Sequence, residues 1–122
     1  MSSFNYLSNQ VIDYIDKNIS LKKLKKVFIV YEGQPYQKNI IFYLKKKNKS
    51  INVTGYDHSA PPALPLNLVF DGCSPDRLLI TGKEQASFYK KYLSWPRSKL
   101  KIIPSFRFKN EKKNFFQNKI FL

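Results

Sequence analysis

Residues 27–36 read VFIVYEGQPY, an apolar run that ends in an acid, a glycine and a proline. The β-branched and aromatic residues favour a strand. Because the run is apolar without alternation, it is typical of a strand covered on both faces, as in parallel sheets. Pro35 suits the first turn of a helix. The stretch therefore predicts a strand, a turn that holds Glu32, and a helix.

Further strands and helices follow on both sides of this stretch. Apolar residues spaced by three or four from Phe4 to Ile19 predict an initial helix capped by Ser2 or Ser3. Strands are predicted at 51–56, 78–81 and 100–104, and a helix at 83–93 with Thr81 as its cap. Strands that alternate with single helices favour an α/β fold. We therefore expect an open, mostly parallel, Rossmann-like sheet with helices on both faces.

The chain divides into two parts by composition. Residues 1–108 form the predicted α/β domain, and residues 109–122 form a basic, aromatic connector that ends in the strand-like KIFL. Arg107, at the end of the domain, and three lysines of the connector are interspersed with phenylalanines, a pattern that can stack bases and hold phosphates. The same phenylalanines can instead pack on the domain, which is the interpretation we favour.

The net charge of +14, from 22 basic and 8 acidic residues, indicates an anionic partner such as nucleic acid, acidic lipid or a nucleotide-linked substrate. Compositional drift toward lysine explains the same charge without a partner. His58 and Cys73 are the single histidine and cysteine, which excludes an intrachain disulfide and a Cys/His zinc site. The four glycines form neither a dinucleotide fingerprint nor a P-loop.

The sequence predicts a cytoplasmic protein, and a peripheral position at the inner face of the membrane is also compatible with it. The first residues contain acids and no apolar core of signal-peptide length. No apolar run approaches the roughly 18 residues of a membrane span.

Polar residues follow three of the predicted strands. They are Glu32-Gly33-Gln34, Asp57-His58-Ser59 and Thr81-Gly82-Lys83-Glu84. In open α/β sheets, ligands bind beyond the carboxyl ends of the strands. These three exits are therefore the candidate site.

Glu32 and His58 are the candidate catalytic residues. Burial at the strand end would raise the pKa of Glu32 and the following helix would lower it, as for a general base or an orienting carboxylate. A helix-capping acid has the same pattern. His58 could donate to phosphate or hydroxyl oxygens or act as an acid or base, and a solvated loop histidine fits equally well. The consecutive Asp57, His58 and Ser59 do not by themselves make a triad.

Three segments together resemble the N-terminal, acceptor-side domain of GT-B glycosyltransferases of bacterial surface-polysaccharide and Kdo-transferase-like families. VFIVYEGQPYQKNI resembles their acidic strand-to-helix turn, although the spacing differs and the tryptophan of the Kdo-transferase form is missing. Gly55 and His58 match a G-x-x-H segment. The stretch from Pro75-Asp76 through Thr81-Gly82 to Arg107 resembles the end of that domain.

The resemblance implies the acceptor-side part of a surface-polysaccharide glycosyltransferase, with a saccharide or lipid-linked acceptor and an anionic membrane surface as partners. Glu32 would be the base for the acceptor hydroxyl, and His58 would stabilise charge. The substrate-binding residues would be Gly33, Gln34, Ser59, Gly82, Lys83 and Arg107, with no metal site. A complete enzyme would use a nucleotide sugar, held mostly by a second domain. We therefore expect a truncated chain that binds no cofactor and is inactive alone.

Two other functions remain open from the sequence. The chain could be a small basic nucleic-acid-binding or assembly protein that uses its aromatic, lysine-rich end. It could also be a non-catalytic subunit that supplies the acceptor half to a separately encoded donor domain.

Overall fold

The computed structural model of the chain describes residues 3–58 and 65–104, with side chains described from Asn5 onward. Helices and strands alternate within these residues as the sequence predicts. The helices are α1 (Ser3–Asn18), α2 (Pro35–Lys47) and α3 (Lys83–Tyr92). The strands are β1 (Lys26–Val30), β2 (Asn52–Tyr56), β3 (Arg77–Ile80) and β4 (Leu100–Ile102). Single 3-10 turns at Leu66–Leu68 and Arg97–Lys99 precede β3 and β4.

The four strands form one open sheet in the order β1-β2-β3-β4, and every neighbouring pair is parallel. Each connection must then return the chain from the carboxyl edge of the sheet to its amino edge. Helices α2 and α3 make two of these returns, and residues 57–76 make the third. The predicted class, an open, parallel, Rossmann-like α/β sheet, is confirmed. The predicted boundary at residue 108 lies outside the described residues.

Burial alternates along the strands, and most of the core lies against one face of the sheet. Val27 pairs with Val53, and Gly55 pairs with Leu78, so these positions point to the same side. Val27, Val53 and Leu78 are all buried. Helices α2 and α3 add side chains to the same cluster, namely Ile40, Ile41, Leu44 and Tyr89.

Strand β1 is covered less completely than its apolar sequence predicts. Val30 is 45% exposed, and Phe28 is only half-buried. The expectation of a strand buried on both faces is therefore wrong for β1. The physical reason is the alternation of side chains along the strand: Val27 and Ile29 face the core, whereas Phe28 and Val30 point to the opposite face of the sheet, which is less covered.

A cluster of aromatic rings joins the end of α3 to the connection before β3. The Trp95 ring is buried and packs edge-on against Tyr31, Phe70 and Tyr89. The Trp95 indole N–H donates to the carbonyl of Leu68 at 2.8 Å. This hydrogen bond satisfies the polar atom that burial of a tryptophan would otherwise leave without a partner.

The start of α3 differs from the prediction by one residue. Gly82, not Thr81, is the N-cap. The Thr81 hydroxyl instead donates to the side-chain oxygen of Gln85 at 3.3 Å, and the Thr81 N–H donates to the same oxygen at 3.0 Å. The side chain of Gln85, rather than a threonine cap, therefore accepts the hydrogen bonds at the start of this helix.

Across the part of the chain that the structure describes, no helix is long and apolar enough to cross a membrane.

Candidate functional site

Glu32 and His58 lie side by side at the carboxyl edge of the sheet. Glu32 comes two residues after the end of β1, and His58 comes two residues after the end of β2. Because neighbouring strands are about 4.8 Å apart, residues that leave them at the same level are close. His58 Nε2 lies 3.8 Å from Glu32 Oε1, and the two side chains are 33% and 41% exposed. The two predicted catalytic residues are therefore brought together where solvent and a ligand can reach them.

Two side-chain amides hold the turn that contains Glu32. Gln37 Oε1 accepts hydrogen bonds from the N–H groups of Glu32, at 2.9 Å, and Gln34, at 3.0 Å. Gln37 Nε2 donates to the carbonyl of Val30 at 2.8 Å. Asn67 Nδ2 donates to the carbonyl of Glu32 at 2.6 Å. The backbone on both sides of Glu32 is thus fixed while its carboxylate stays accessible.

Neither Gln37 nor Asn67 was among the site residues predicted from the sequence. For Gln37 a signal was present, because Gln34 and Gln37 are three residues apart at the start of a helix, a spacing typical of a capping box. For Asn67 there was none, since its contact with Glu32 spans 35 positions.

Gly33 is required by the fold at this turn. Its φ is +70°, and a Cβ atom would lie 2.2 Å from the carbonyl oxygen of Asn67. Both facts exclude a larger residue, because the left-handed region and the close approach each disfavour a side chain. The chain's own backbone makes that close approach. A contact between Gly33 and a substrate stays a prediction.

A cleft of about 270 Å³ opens beside Glu32, between α1, α2 and the end of β1. Its wall is mostly apolar, and three of the lining residues carry polar side-chain atoms. The lining residues are Val11, Ile29, Val30, Glu32, Tyr36, Gln37 and Ile40. Ligand sites combine an apolar wall with a few fixed polar groups in this way, but they are usually larger, so the cleft could hold only a small group.

The exit of β2 is anchored to α3 through a buried carboxylate. Asp57 is 1% exposed, and its Oδ2 accepts hydrogen bonds from Gln85 Nε2, at 3.0 Å, and from the hydroxyl of Tyr89. Burial, followed by the hydrogen bond to Asp57, raises the pKa of Tyr89 far above its ordinary value. Tyr89 therefore stays neutral and donates. Asp57 fixes the backbone from which His58 projects.

The remaining predicted binding residues are spread more widely. Gln34 is half-buried in the turn after Glu32, where its N–H is held by Gln37. Gly82 and Lys83 begin α3 after β3, two strands from β1, which corresponds to about 10 Å across the sheet. Ser59 and Arg107 lie outside the described residues.

Positive charge is scarce at this edge. Lys38, in the first turn of α2, donates to Asp71 at 2.5 Å. Partial burial acts to raise the pKa of Asp71, but hydrogen bonds from Lys38 and the Cys73 N–H outweigh it and lower that pKa. Lys38 is thus neutralised locally. Among the described residues, no group of three or more His, Cys, Asp and Glu side chains could hold a metal ion.

The fold and site define an open, parallel α/β domain with a carboxylate–imidazole pair beside a small apolar cleft. No family model, curated protein or solved structure matches the chain. Functional inference therefore depends on the residues and their geometry.

Proposed function

We propose that this chain is the acceptor-side part of a glycosyltransferase-like protein of surface-polysaccharide biosynthesis. The observation that carries the proposal is the Glu32–His58 pair, 3.8 Å apart at the carboxyl edge of a parallel sheet and next to the apolar cleft. A partly exposed carboxylate beside a partly exposed imidazole can bind a hydroxyl group of a saccharide between them.

In the proposed reaction, Glu32 accepts the proton of the acceptor hydroxyl as its oxygen bonds to the anomeric carbon of the donor sugar. The bond from that carbon to the nucleotide phosphate breaks, and the electron pair leaves with the phosphate. His58 donates a hydrogen bond that orients the acceptor or stabilises charge on it. The fixed backbone around Glu32 supports this role, because a base is effective only when it is held in place.

The donor nucleotide sugar is proposed to bind elsewhere, on a separate domain. A nucleotide diphosphate needs cations or helix N–H groups. At the described carboxyl edge, Lys38 is engaged by Asp71, which leaves Lys83 as the cation without such a partner. At the start of α2, the side chain of Gln37 already occupies the N–H groups of Glu32 and Gln34. These features support a role in binding the acceptor. They also support the proposal that this chain alone does not transfer a sugar from a nucleotide donor.

The test is a titration of the ¹⁵N-labelled chain with a panel of mono- and disaccharides, followed by amide and imidazole shifts. We expect shifts that centre on Glu32, His58 and the cleft. The Glu32→Gln variant should bind about 10- to 100-fold more weakly, since a hydrogen bond to a charged group is lost. Glu111→Gln, the same change at a glutamate outside the three strand exits and outside the described residues, is the matched control and should bind normally.

Equal weakening in both variants, or shifts that lie away from the carboxyl edge, would contradict the proposal. So would sugar transfer from a nucleotide sugar by this chain alone. In an assay supplemented with a donor domain, full activity of the Glu32→Gln variant would remove the assignment of Glu32 as the base.

A further inference from the structure

At the amino edge of the sheet, opposite to Glu32 and His58, eight exposed cationic side chains lie at or just before the starts of β1, β2 and β3. Four are the lysines of residues 22–26, in the link from α1 to β1. Three are the exposed lysines of residues 46–49, at the end of α2 and just beyond it. The eighth is Arg77, the first residue of β3. We refer to these eight side chains as the basic edge.

Backbone and side-chain contacts hold the two lysine segments together. The Asn52 N–H donates to the carbonyl of Lys25 at 2.8 Å, and Lys26 pairs with Asn52 in the sheet register. Asn48 Nδ2 donates to the carbonyl of Leu21 at 2.9 Å. The link before β1 and the turn after α2 therefore form one continuous surface.

Internal acids do not neutralise the basic edge. Two carboxylates near this end have other partners, and one of them, Asp76, is bonded to Lys45 at 2.5 Å and to the Val53 N–H at 2.7 Å. The other, Asp16, accepts a hydrogen bond from the hydroxyl of Tyr43. Within residues 3–58 and 65–104, no cation of the basic edge forms a salt bridge.

Local structure explains only part of this cluster. Lysines in the last turn of α2 are stabilised by the negative end of the helix dipole. That reason does not apply to the link at 22–26 or to Arg77, which lie outside helices. Lysine enrichment from compositional drift would also place cations at both ends of the sheet. The carboxyl edge instead has few, and one of them is paired with Asp71.

We propose that the basic edge binds an anionic lipid surface. Lysine ammonium groups spread over one end of a molecule suit a plane of phosphate headgroups, and each lysine near such a surface changes affinity about fivefold. Neither lysine segment contains an aromatic residue. A single-stranded nucleic-acid site normally uses such rings to stack bases, so a lipid surface is the better fit.

Binding through this edge also orients the molecule. The Glu32–His58 pair lies at the opposite end of the strands, and the five residues of β1 correspond to about 17 Å. Glu32 and His58 would then lie at the end of the sheet farther from the lipid surface.

The experiment is co-sedimentation of the full chain with vesicles made of phosphatidylcholine and phosphatidylglycerol in equal parts, at low and at physiological salt. The test variant carries Lys22→Gln, Lys23→Gln and Lys25→Gln. The matched control carries Lys109→Gln, Lys112→Gln and Lys113→Gln, an identical charge change outside the described residues. Urea unfolding and circular dichroism of both variants check that the fold is kept, which we expect because the three link lysines are exposed.

We expect the wild-type chain to bind these vesicles at low salt, to bind less at physiological salt and to ignore pure phosphatidylcholine vesicles. The test variant should bind about 100-fold more weakly, while the control keeps most of its affinity. Equal loss in both variants would overturn the proposal, since net charge alone would then explain binding. Absence of vesicle binding at low salt would also overturn it. The proposal would also fail if the wild-type chain bound single-stranded RNA more tightly than vesicles and the test variant lost that RNA binding.

Discussion

The two ends of the sheet differ in whether their polar side chains have partners within the protein. At the carboxyl edge, Gln37, Asn67 and Asp57 form internal hydrogen bonds, and they fix the backbone around Glu32 and His58. At the amino edge, the basic edge has no internal acidic partner among the described residues. One end therefore has a backbone fixed by internal hydrogen bonds and few cations, whereas the other has many cations that form no internal salt bridge. This difference separates a candidate site for a small ligand from a candidate surface for a large anionic partner.

Gly33→Ala should have the largest effect on the carboxyl edge. A Cβ atom at φ +70° and 2.2 Å from the Asn67 oxygen must displace the turn beside Glu32. We expect the free energy of unfolding to fall by about 3 kcal/mol, the combined cost of left-handed strain and overpacking. Urea denaturation measures it.

Gly72→Ala is the matched control, since nothing lies within 4 Å of its Cβ position. Its stability should stay within about 0.5 kcal/mol of wild type. If both variants lose equal stability, or neither does, the described contact between Gly33 and Asn67 is wrong.

Asp57→Ala should be the next largest change, because it leaves Gln85 Nε2 and the Tyr89 hydroxyl without their carboxylate. We expect a loss of about 2–3 kcal/mol in the free energy of unfolding, as for removal of a buried charged acceptor. The imidazole resonances of His58 should also shift, since the β2 exit loses its anchor to α3.

Tyr89→Phe serves as the partner variant for Asp57→Ala. It removes one donor and should cost about 1–2 kcal/mol. In the double variant the costs should not add, because the two groups share one bond. Additive losses would show that Asp57 and Tyr89 act independently.

Tyr31→Phe should have the smallest effect at neutral pH and should make the carboxyl edge less sensitive to alkali. The Tyr31 hydroxyl is buried with no hydrogen-bond partner among the described residues; the nearby Ser74 hydroxyl is engaged by Asp71. Burial raises the pKa of Tyr31 from 10.0 to about 12. Because the pKa of Tyr31 is higher in the folded state than in the unfolded state, the neutral hydroxyl favours folding fully below pH 10. This contribution to the free energy of unfolding is lost as the pH rises toward 12.

We therefore expect wild type and Tyr31→Phe to differ by less than about 1 kcal/mol in unfolding free energy at pH 7. From pH 10 to 12 the wild-type protein should lose about 2–3 kcal/mol more than the variant. Urea denaturation at a series of pH values measures both. Parallel pH profiles for the two proteins would refute the burial of this hydroxyl.

Much of the fold could be predicted because its signals are local. The strand at VFIVY, the helix that begins at Pro35 and the helix over 83–93 each follow from residues within a few positions of one another. The exits that hold Glu32 and His58 were predicted for the same reason. The covering of β1 was not, because an apolar run does not reveal whether other elements cover one face of the sheet or both.

The rest of the candidate site depends on long-range contacts. Asn67 reaches Glu32 across 35 positions, and Tyr89 reaches Asp57 across 32. Polar side chains of these types are common on surfaces, so nothing in their local sequence marks them as internal partners.

The sequence by itself determined the alternation of strands and helices, the acid and the histidine at two strand exits, and a large positive charge. These properties depend on periodicity, turn residues and composition, which act over short distances. Only the tertiary structure decided that β1 and β2 are neighbours, that Glu32 therefore meets His58, and that the lysines of two distant segments share one edge. Strand order is a choice among non-local pairings, and it alone determines which exits and which lysines become adjacent.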